Sequence, residues 1–298
     1  MTAMRQITAH TESDLREAIA GLMGHDFPVT STDPNEDLIT LDAKIDSILP
    51  VARAGSCSSV ATLSSIASSL EGFLDLMQKW NRVYNLTAIT DRKQMITHHL
   101  LDSLAIIPSL DGLLAGHDHP RVLDVGTGAG LPGIPLAVAR PEWRLTLVDS
   151  NSKKTAFVTQ AAAELGLDNI NVATGRVEQQ KPHPAQQQPP QQQPQPPHQQ
   201  QQPQPPHQQP PHQLQQSSQP HDATYDAIVS RAFASLNDFV AGTRQLLATD
   251  GTWIAMKGVV PQDEIDALPD DIACTSIVSL DVPGLDAERH LILMKVKR

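Results

Sequence analysis

The chain has 298 residues and a formal net charge of −11, enough for one large domain or two modest ones and with no overall excess of base to hold nucleic acid. Its two cysteines, Cys57 and Cys274, are too far apart in sequence for a metal-type cluster and argue against a disulfide scaffold, so a reducing compartment is expected. The first residues lack the apolar stretch of a secretory signal, and no apolar run approaches the roughly 18–20 residues that span a bilayer, so we expect a cytoplasmic protein with no membrane partner.

The chain opens with an acidic extension, residues 1–57; the first 75 residues hold 11 acids against 4 bases. Leu15, Ala18, Ile19 and Leu22 repeat at helical spacing, as do Leu38, Leu41, Ile45 and Ile48, and the Ser/Gly-rich stretch 54–59 reads as a linker. A helical unit is expected over 58–110. In it Leu63, Ile66, Leu70, Phe73, Leu74, Met77 and Trp80 recur at steps of three and four, which predicts an amphipathic helix. A second helix is predicted from Arg92 to Ile107, after the cap signal Thr90-Asp91 and before Pro108.

The rhythm changes over 111–298. Short β-branched runs predict strands at Arg121–Val125, Arg144–Val148, Asn171–Ala173, Tyr225–Ser230, Gly251–Met256, Thr275–Leu280 and His290–Val296. Helices are predicted between them at Ile134–Ala139, Lys153–Leu165 (closed by Gly166) and Ala234–Leu247. This alternation implies an α/β fold, with βαβ units and helices on both faces of a seven-stranded, mostly parallel sheet. Only residues 281–289 separate the last two strands, too few for a helical crossover, so they should pair antiparallel.

Between the third and fourth strands the composition collapses. Of the 43 residues from Gln179 to His221, 20 are Gln, 13 Pro and 5 His. Such a segment buries too little apolar area to offset its ordering entropy and reads as a disordered insertion into a finished domain. Its histidines are irregularly spaced, and no metal site is expected.

The chemistry concentrates at Val122-Leu-Asp-Val-Gly-Thr-Gly-Ala-Gly-Leu-Pro-Gly133, a strand, a tight turn and a helix start. Gly126, Gly128 and Gly130 let backbone approach a ligand closely. The run from Gly128 to Gly133 also satisfies G-x-G-x-x-G, with Asp149 ending the next strand, so a dinucleotide competes as the ligand. Asp124 weighs against it. At an effective dielectric of 20, a carboxylate about 6 Å from each pyrophosphate charge costs on the order of 3 kcal/mol per pair. S-adenosylmethionine is a net cation, which an aspartate attracts, and Asp149 can accept ribose hydroxyls from either ligand. The alternative role for Asp124 is a structural cap on the loop amides.

Five segments, Trp80–Ala88, His99–Leu104, Asp124–Pro135, Ser230–Leu236 and Gly284–His290, together resemble the 16S ribosomal RNA guanine-N7 methyltransferase family, also called glucose-inhibited division protein B. The likeness covers roughly 60–178 and 222–298. It implies a class I, Rossmann-like, S-adenosylmethionine-dependent methyltransferase fold whose target is a guanine in the 530 loop of the small-subunit RNA, with 16S rRNA or the small ribosomal subunit as partner. A monomer is expected. The resemblance implies cofactor contacts at Gly126, Leu131, Val177, Glu178 and Arg231, beside Asp124, Gly128, Gly130 and Asp149 from the loop reading. This sequence departs from the family in its long residues 1–57, in His98 where an arginine is expected, and in the tract after Glu178.

Methylating N7 of guanine needs no deprotonation, so no general base is expected; catalysis would rest on positioning, with Arg231 and Arg176 as the positioning residues. Arg176, Arg231 and Lys257 follow strands three, four and five and could form a local RNA-binding cluster, or pair with Asp124, Asp149 and Glu178. Asn85 and His99 could contact substrate or fix the helices to the sheet, and Trp80 reads as core. Two other readings stand beside this one: a small-molecule methyltransferase on the same fold and an NAD-binding Rossmann protein. A non-enzymatic scaffold, recruiting partners through the Gln/Pro tract, is a third.

Overall fold

The computed structural model describes residues 59–179, 224–231, 233 and 235–298. The two helices expected before residue 50, most of the linker and nearly all of the Gln/Pro/His tract lie outside the described residues. Among the described residues no helix is long and apolar enough to cross a membrane.

Helix α1, Ser59–Tyr84, begins at the last residue of the expected linker. Ala67, Leu70, Phe73, Leu74 and Met77 are fully buried on one face, each large side chain contributing about 1.5–3 kcal/mol. That face lies against the first two sheet-covering helices: Phe73 and Trp80 sit 6.1 and 5.6 Å, ring to ring, from Phe157. Trp80 is therefore half-buried, packed against the core rather than within it.

The second helix, α2, is not uniform. It runs as α-helix over Arg92–Met95, widens to a π-helical stretch at Ile96–Leu101 and closes as α-helix at Asp102–Leu104. Asp91 caps it as expected, accepting from the Gln94 amide at 2.9 Å. Arg92 then ties α2 back to α1 through Asp75 at 2.7 Å and through Glu71. Pro108 does not end the helical region. It sits in the first turn of a further helix, α3 (Ile107–Leu113), where its missing amide hydrogen costs nothing.

The sheet comprises β1 (Arg121–Val125), β2 (Arg144–Asp149), β3 (Ile170–Thr174), β4 (Tyr225–Ser230), β5 (Leu247–Lys257), β6 (Ile272–Ser279) and β7 (His290–Val296). Its order is β3-β2-β1-β4-β5-β7-β6, with β7 antiparallel to both neighbours and the other pairings parallel. This is the class I S-adenosylmethionine-dependent methyltransferase fold. β1 and β4, at the centre, are buried on both faces and read as continuous apolar runs for that reason.

Helices α4 (Gly133–Ala139) and α5 (Ser152–Glu164) cover one face together with α1. Gly166, at φ 64°, ends α5 in a Schellman motif: its amide donates to Ala163 O and that of Leu167 to Ala162 O. On the other face lies α6 (Leu236–Thr243), shorter than expected because Arg244–Leu246 tightens to a 3₁₀ turn and β5 starts at once. A short helix, α7 (Gln262–Asp266), follows β5. Under α6, Thr243 is fully buried; its hydroxyl donates to Phe239 O and accepts from Trp253 Nε1 at 2.8 Å. Thr243→Val should strand that indole N–H at a cost of about 1–3 kcal/mol. Urea denaturation should show a lower midpoint with an unchanged slope, and an unchanged midpoint would refute the assignment.

Candidate functional site

The glycine loop leaves the end of β1 and bends toward β2, where Val148 O accepts the amides of Gly126 and Thr127 at 2.8 and 3.1 Å. Gly126 lies at φ 72°, and a Cβ built there would meet no protein atom within 4 Å. It would enter open space at the mouth of a cleft instead. Gly130, at φ 82°, is needed for a different reason: a Cβ would come within 2.6 Å of Ile134 Cδ1.

Asp124 lies under this loop, fully buried. Its Oδ2 accepts from the Thr127 hydroxyl at 2.6 Å and from the Gly133 amide, at the start of α4, at 2.9 Å. Its Oδ1 is buried without a hydrogen-bond partner. Burial pushes the carboxyl up to about 6, against the opposing pull of these two bonds. The structure therefore gives Asp124 the capping role. Gly130 and Leu131 also belong to the packed floor.

Over the loop opens a cleft of about 240 Å³, lined by Gly126, Asp149, Arg176, Val177, Glu178 and Phe233 among others. Asp149 fixes its rim: Oδ2 accepts from the Gly128 amide at 2.9 Å and Oδ1 from Asn151 at 2.8 Å. Each oxygen keeps a lone pair for a further donor. The Gly128 amide, which a pyrophosphate would need, is already committed to a carboxylate. Four expected cofactor residues, Gly126, Asp149, Val177 and Glu178, are thus brought together here, with Arg176 beside them. Arg231 is not among them.

Arg231 instead lines a second cleft of about 370 Å³ at the ends of β4 and β5, with Lys257, His98, His99, Asp102 and Arg289. Asp102 is 2 % exposed and bridges two guanidiniums: Oδ1 to Arg289 Nε at 2.7 Å and Oδ2 to Arg231 Nη1 at 3.3 Å. Arg231 Nη1 also donates to His98 O, within the π-helical stretch, at 3.2 Å. Lys257 contacts both carboxylate oxygens of Glu264 at 3.1 Å. His99 Nε2 lies 2.9 Å from the Thr87 hydroxyl, and its Nδ1 is buried and unpartnered. Burial and then the Arg231 charge push His99 down to about 4, so it is neutral at physiological pH.

Arg231, Lys257 and His99 are therefore neighbours, whereas Arg176 belongs to the other cleft and Asn85 to neither. Asn85 is exposed at φ 49° just beyond α1, its amide donating to Asn81 O, in the left-handed conformation that asparagine tolerates. Sequence reasoning did not single out Asp102 or Arg289, although both lie inside the family-like segments. It also passed over Asn81, whose side chain holds both the amide and the carbonyl of Thr87 and so presents that hydroxyl to His99. The available signal was a carboxylate set among apolar helix residues, Leu100-Leu-Asp-Ser-Leu104, where an unpaired charge would be costly.

A sequence model of the family described as rRNA small subunit methyltransferase G (GidB) matches residues 66–190 and 212–292, and its interruption falls within the Gln/Pro/His tract. Ribosomal RNA small subunit methyltransferase G of Neisseria meningitidis is 43 % identical over 233 residues, covering 78 % of this chain and 90 % of the relative. That of Neisseria gonorrhoeae is 43 % identical over 243 residues, with 81 % and 95 % covered. That of Chromobacterium violaceum is 42 % identical over 225 residues, with 76 % and 86 % covered. Among solved structures, a SAM-dependent methyltransferase from Aquifex aeolicus superposes with a TM-score of 0.44 at 15 % identity, covering 69 % of this chain and 94 % of that one. On the strength of the matched residues and these identities, the chain belongs to the small-subunit ribosomal RNA methyltransferase G family.

Proposed function

We propose that this chain methylates N7 of a guanine in the 530 loop of 16S rRNA, with S-adenosylmethionine as methyl donor. The observation that carries the reading is the pairing of two unlike clefts on neighbouring strand ends. One is rimmed by Asp149 and Glu178, the other by Arg231, Arg289 and Lys257.

The acidic cleft fits the donor. Asp149 has lone pairs left for ribose hydroxyls, Gly126 leaves room where any side chain would intrude, and Val177 supplies an apolar wall. When bound there, S-adenosylmethionine supplies an electrophilic methyl on a sulfonium, and the carboxylates suit its net positive charge.

The cationic cleft fits RNA in a chain that is acidic overall. Its titratable groups also limit the chemistry. Asp102 is held by two guanidiniums, and His99, with its pKa near 4, is too weak a base to strip a proton from an amine or hydroxyl. An acceptor atom that already carries an in-plane lone pair, such as N7 of guanine, needs no base. Arg231 and Lys257 then hold the nucleotide, and the neutral His99 adds no positive charge beside a base that becomes cationic.

The test is incubation of small ribosomal subunits, taken from cells lacking the endogenous activity, with methyl-labelled S-adenosylmethionine. Label should appear at one guanine of the 530 loop and cause strand scission under conditions selective for N7-methylguanine. Label at another atom or another base would overturn the assignment. Faster turnover of a free small molecule than of RNA would favour the small-molecule reading.

A further inference from the structure

We propose that Asp102 is a positioning residue for the RNA substrate, holding Arg231 and Arg289 side by side as one phosphate-directed fork. The inference rests on the reading that the cationic cleft receives RNA. Arg231 follows β4 and Arg289 immediately precedes β7, and the two are separated by β5 in the sheet. Asp102, on α2, takes one guanidinium on each carboxylate oxygen and so brings them together. Among the described hydrogen bonds, Arg289 gives only Nε and Nη1 to protein acceptors, and Arg231 only Nη1. A guanidinium carries five N–H donors in a rigid plane, so anchoring one edge orients the rest.

Local charge points the same way. Two cations flank a single anion, leaving an excess of positive charge at the cleft wall, and both arginine side chains remain about a quarter exposed. A salt bridge serving the fold alone would need one arginine. A buried carboxylate shared by two is a costly way to hold helix to sheet, since each ion must be taken out of water. The backbone supplies a second, independent observation. The π-helical stretch ends right before Asp102 and offers His98 O to Arg231, and such widened turns are rare and frequent at functional sites. Phosphate oxygens match the planar fork; a lysine at either place would supply charge without orientation.

The experiment compares wild type with Asp102→Asn, Arg231→Lys and the double variant, each with small subunits as substrate and total methyl incorporation as the readout. Asp102→Asn keeps the shape and removes the charge that anchors both guanidiniums. We expect kcat/KM to fall about 30-fold although the cleft has become more positive, with S-adenosylhomocysteine affinity unchanged and a lower melting temperature, because two partly buried guanidiniums lose their counter-charge. Arg231→Lys should lose a similar factor, and the double variant no more than threefold beyond either single one, because both remove one device. Activity of Asp102→Asn within threefold of wild type would overturn the proposal. So would loss of cofactor affinity in step with activity, or full activity in Arg231→Lys, the arm that remains decisive if Asp102→Asn fails to fold. Label at an atom other than guanine N7 would sink the reading of the target while leaving these ratios meaningful.

Discussion

Asp149→Ala should weaken S-adenosylhomocysteine binding by roughly 100- to 1,000-fold, the largest effect expected of a single substitution here. The side chain does two things at once. Toward the protein, its oxygens accept the amides of Gly128 and Asn151, which sets the glycine loop after β1 and the start of α5 at a fixed spacing. Toward the cleft, its remaining lone pairs face the space where ribose hydroxyls would lie. Hydrogen bonds to a charged acceptor are worth about 1.5–3 kcal/mol each, so losing two accounts for the lower end of the range without any loop movement. Loosening of the loop adds to it. Calorimetric titration checks the expectation, with NAD as a control that should show no binding to either protein. An affinity within threefold of wild type would exclude Asp149 from the cofactor site.

Asp124 should make the protein less stable as pH rises from about 4 to about 6, opposite to the usual contribution of a carboxylate. Unfolded, its carboxyl loses its proton near 3.8; folded, burial raises that to about 6. Between these values the folded state holds more protons than the unfolded one, so stability from this residue is complete at low pH and is lost as pH climbs through the folded value. The difference is worth about 3 kcal/mol, at 1.36 kcal/mol for each pH unit. Asp124→Asn mimics the neutral acid, with an oxygen still able to accept from Thr127 and Gly133. Measured by urea denaturation, the variant should gain stability relative to wild type between pH 4 and pH 7, and parallel curves would disprove the shift. The cofactor adds a second expectation. A net cation in the adjoining cleft favours ionised Asp124, so affinity for S-adenosylmethionine should tighten through pH 6 in wild type and not in the variant. A buried charge kept at a cost to the fold makes sense if the ligand above it is positive.

Much of this architecture could be read from local pattern. β1, β4 and β7 start and stop where their β-branched runs do, and Gly166 and Asp91 mark helix ends through backbone requirements that act over a few residues. Where the reading failed, the controlling interactions were not local. Pro108 signals a helix end by itself, but its neighbours continue as a new helix because Ile107 and Leu110 are buried in the core beneath the sheet-covering helices. The widened turn of α2 has no propensity signature; it coincides with an arginine that reaches in from 133 residues away.

The site divides along the same line. The acidic cleft was legible because the glycine loop, Asp149 and Val177–Glu178 each follow a strand that pattern could place. The Arg231 side chain turns toward α2 and finds Asp102 there, a partner that its place after β4 does not announce. Asp102 and Arg289, 187 residues apart, meet only because β7 is inserted between β5 and β6, which no spacing in the sequence announces.

That insertion has a bearing on truncation. The last of the seven described strands in chain order takes an interior place in the sheet, and the residue just ahead of it completes the pair of arginines at the cleft. A polypeptide broken off anywhere before Arg289 would lack both the wedge that joins β6 to the sheet and one of the two guanidiniums held by Asp102. Truncations that remove β7 should therefore lose the sheet edge and the wall of the second cleft together.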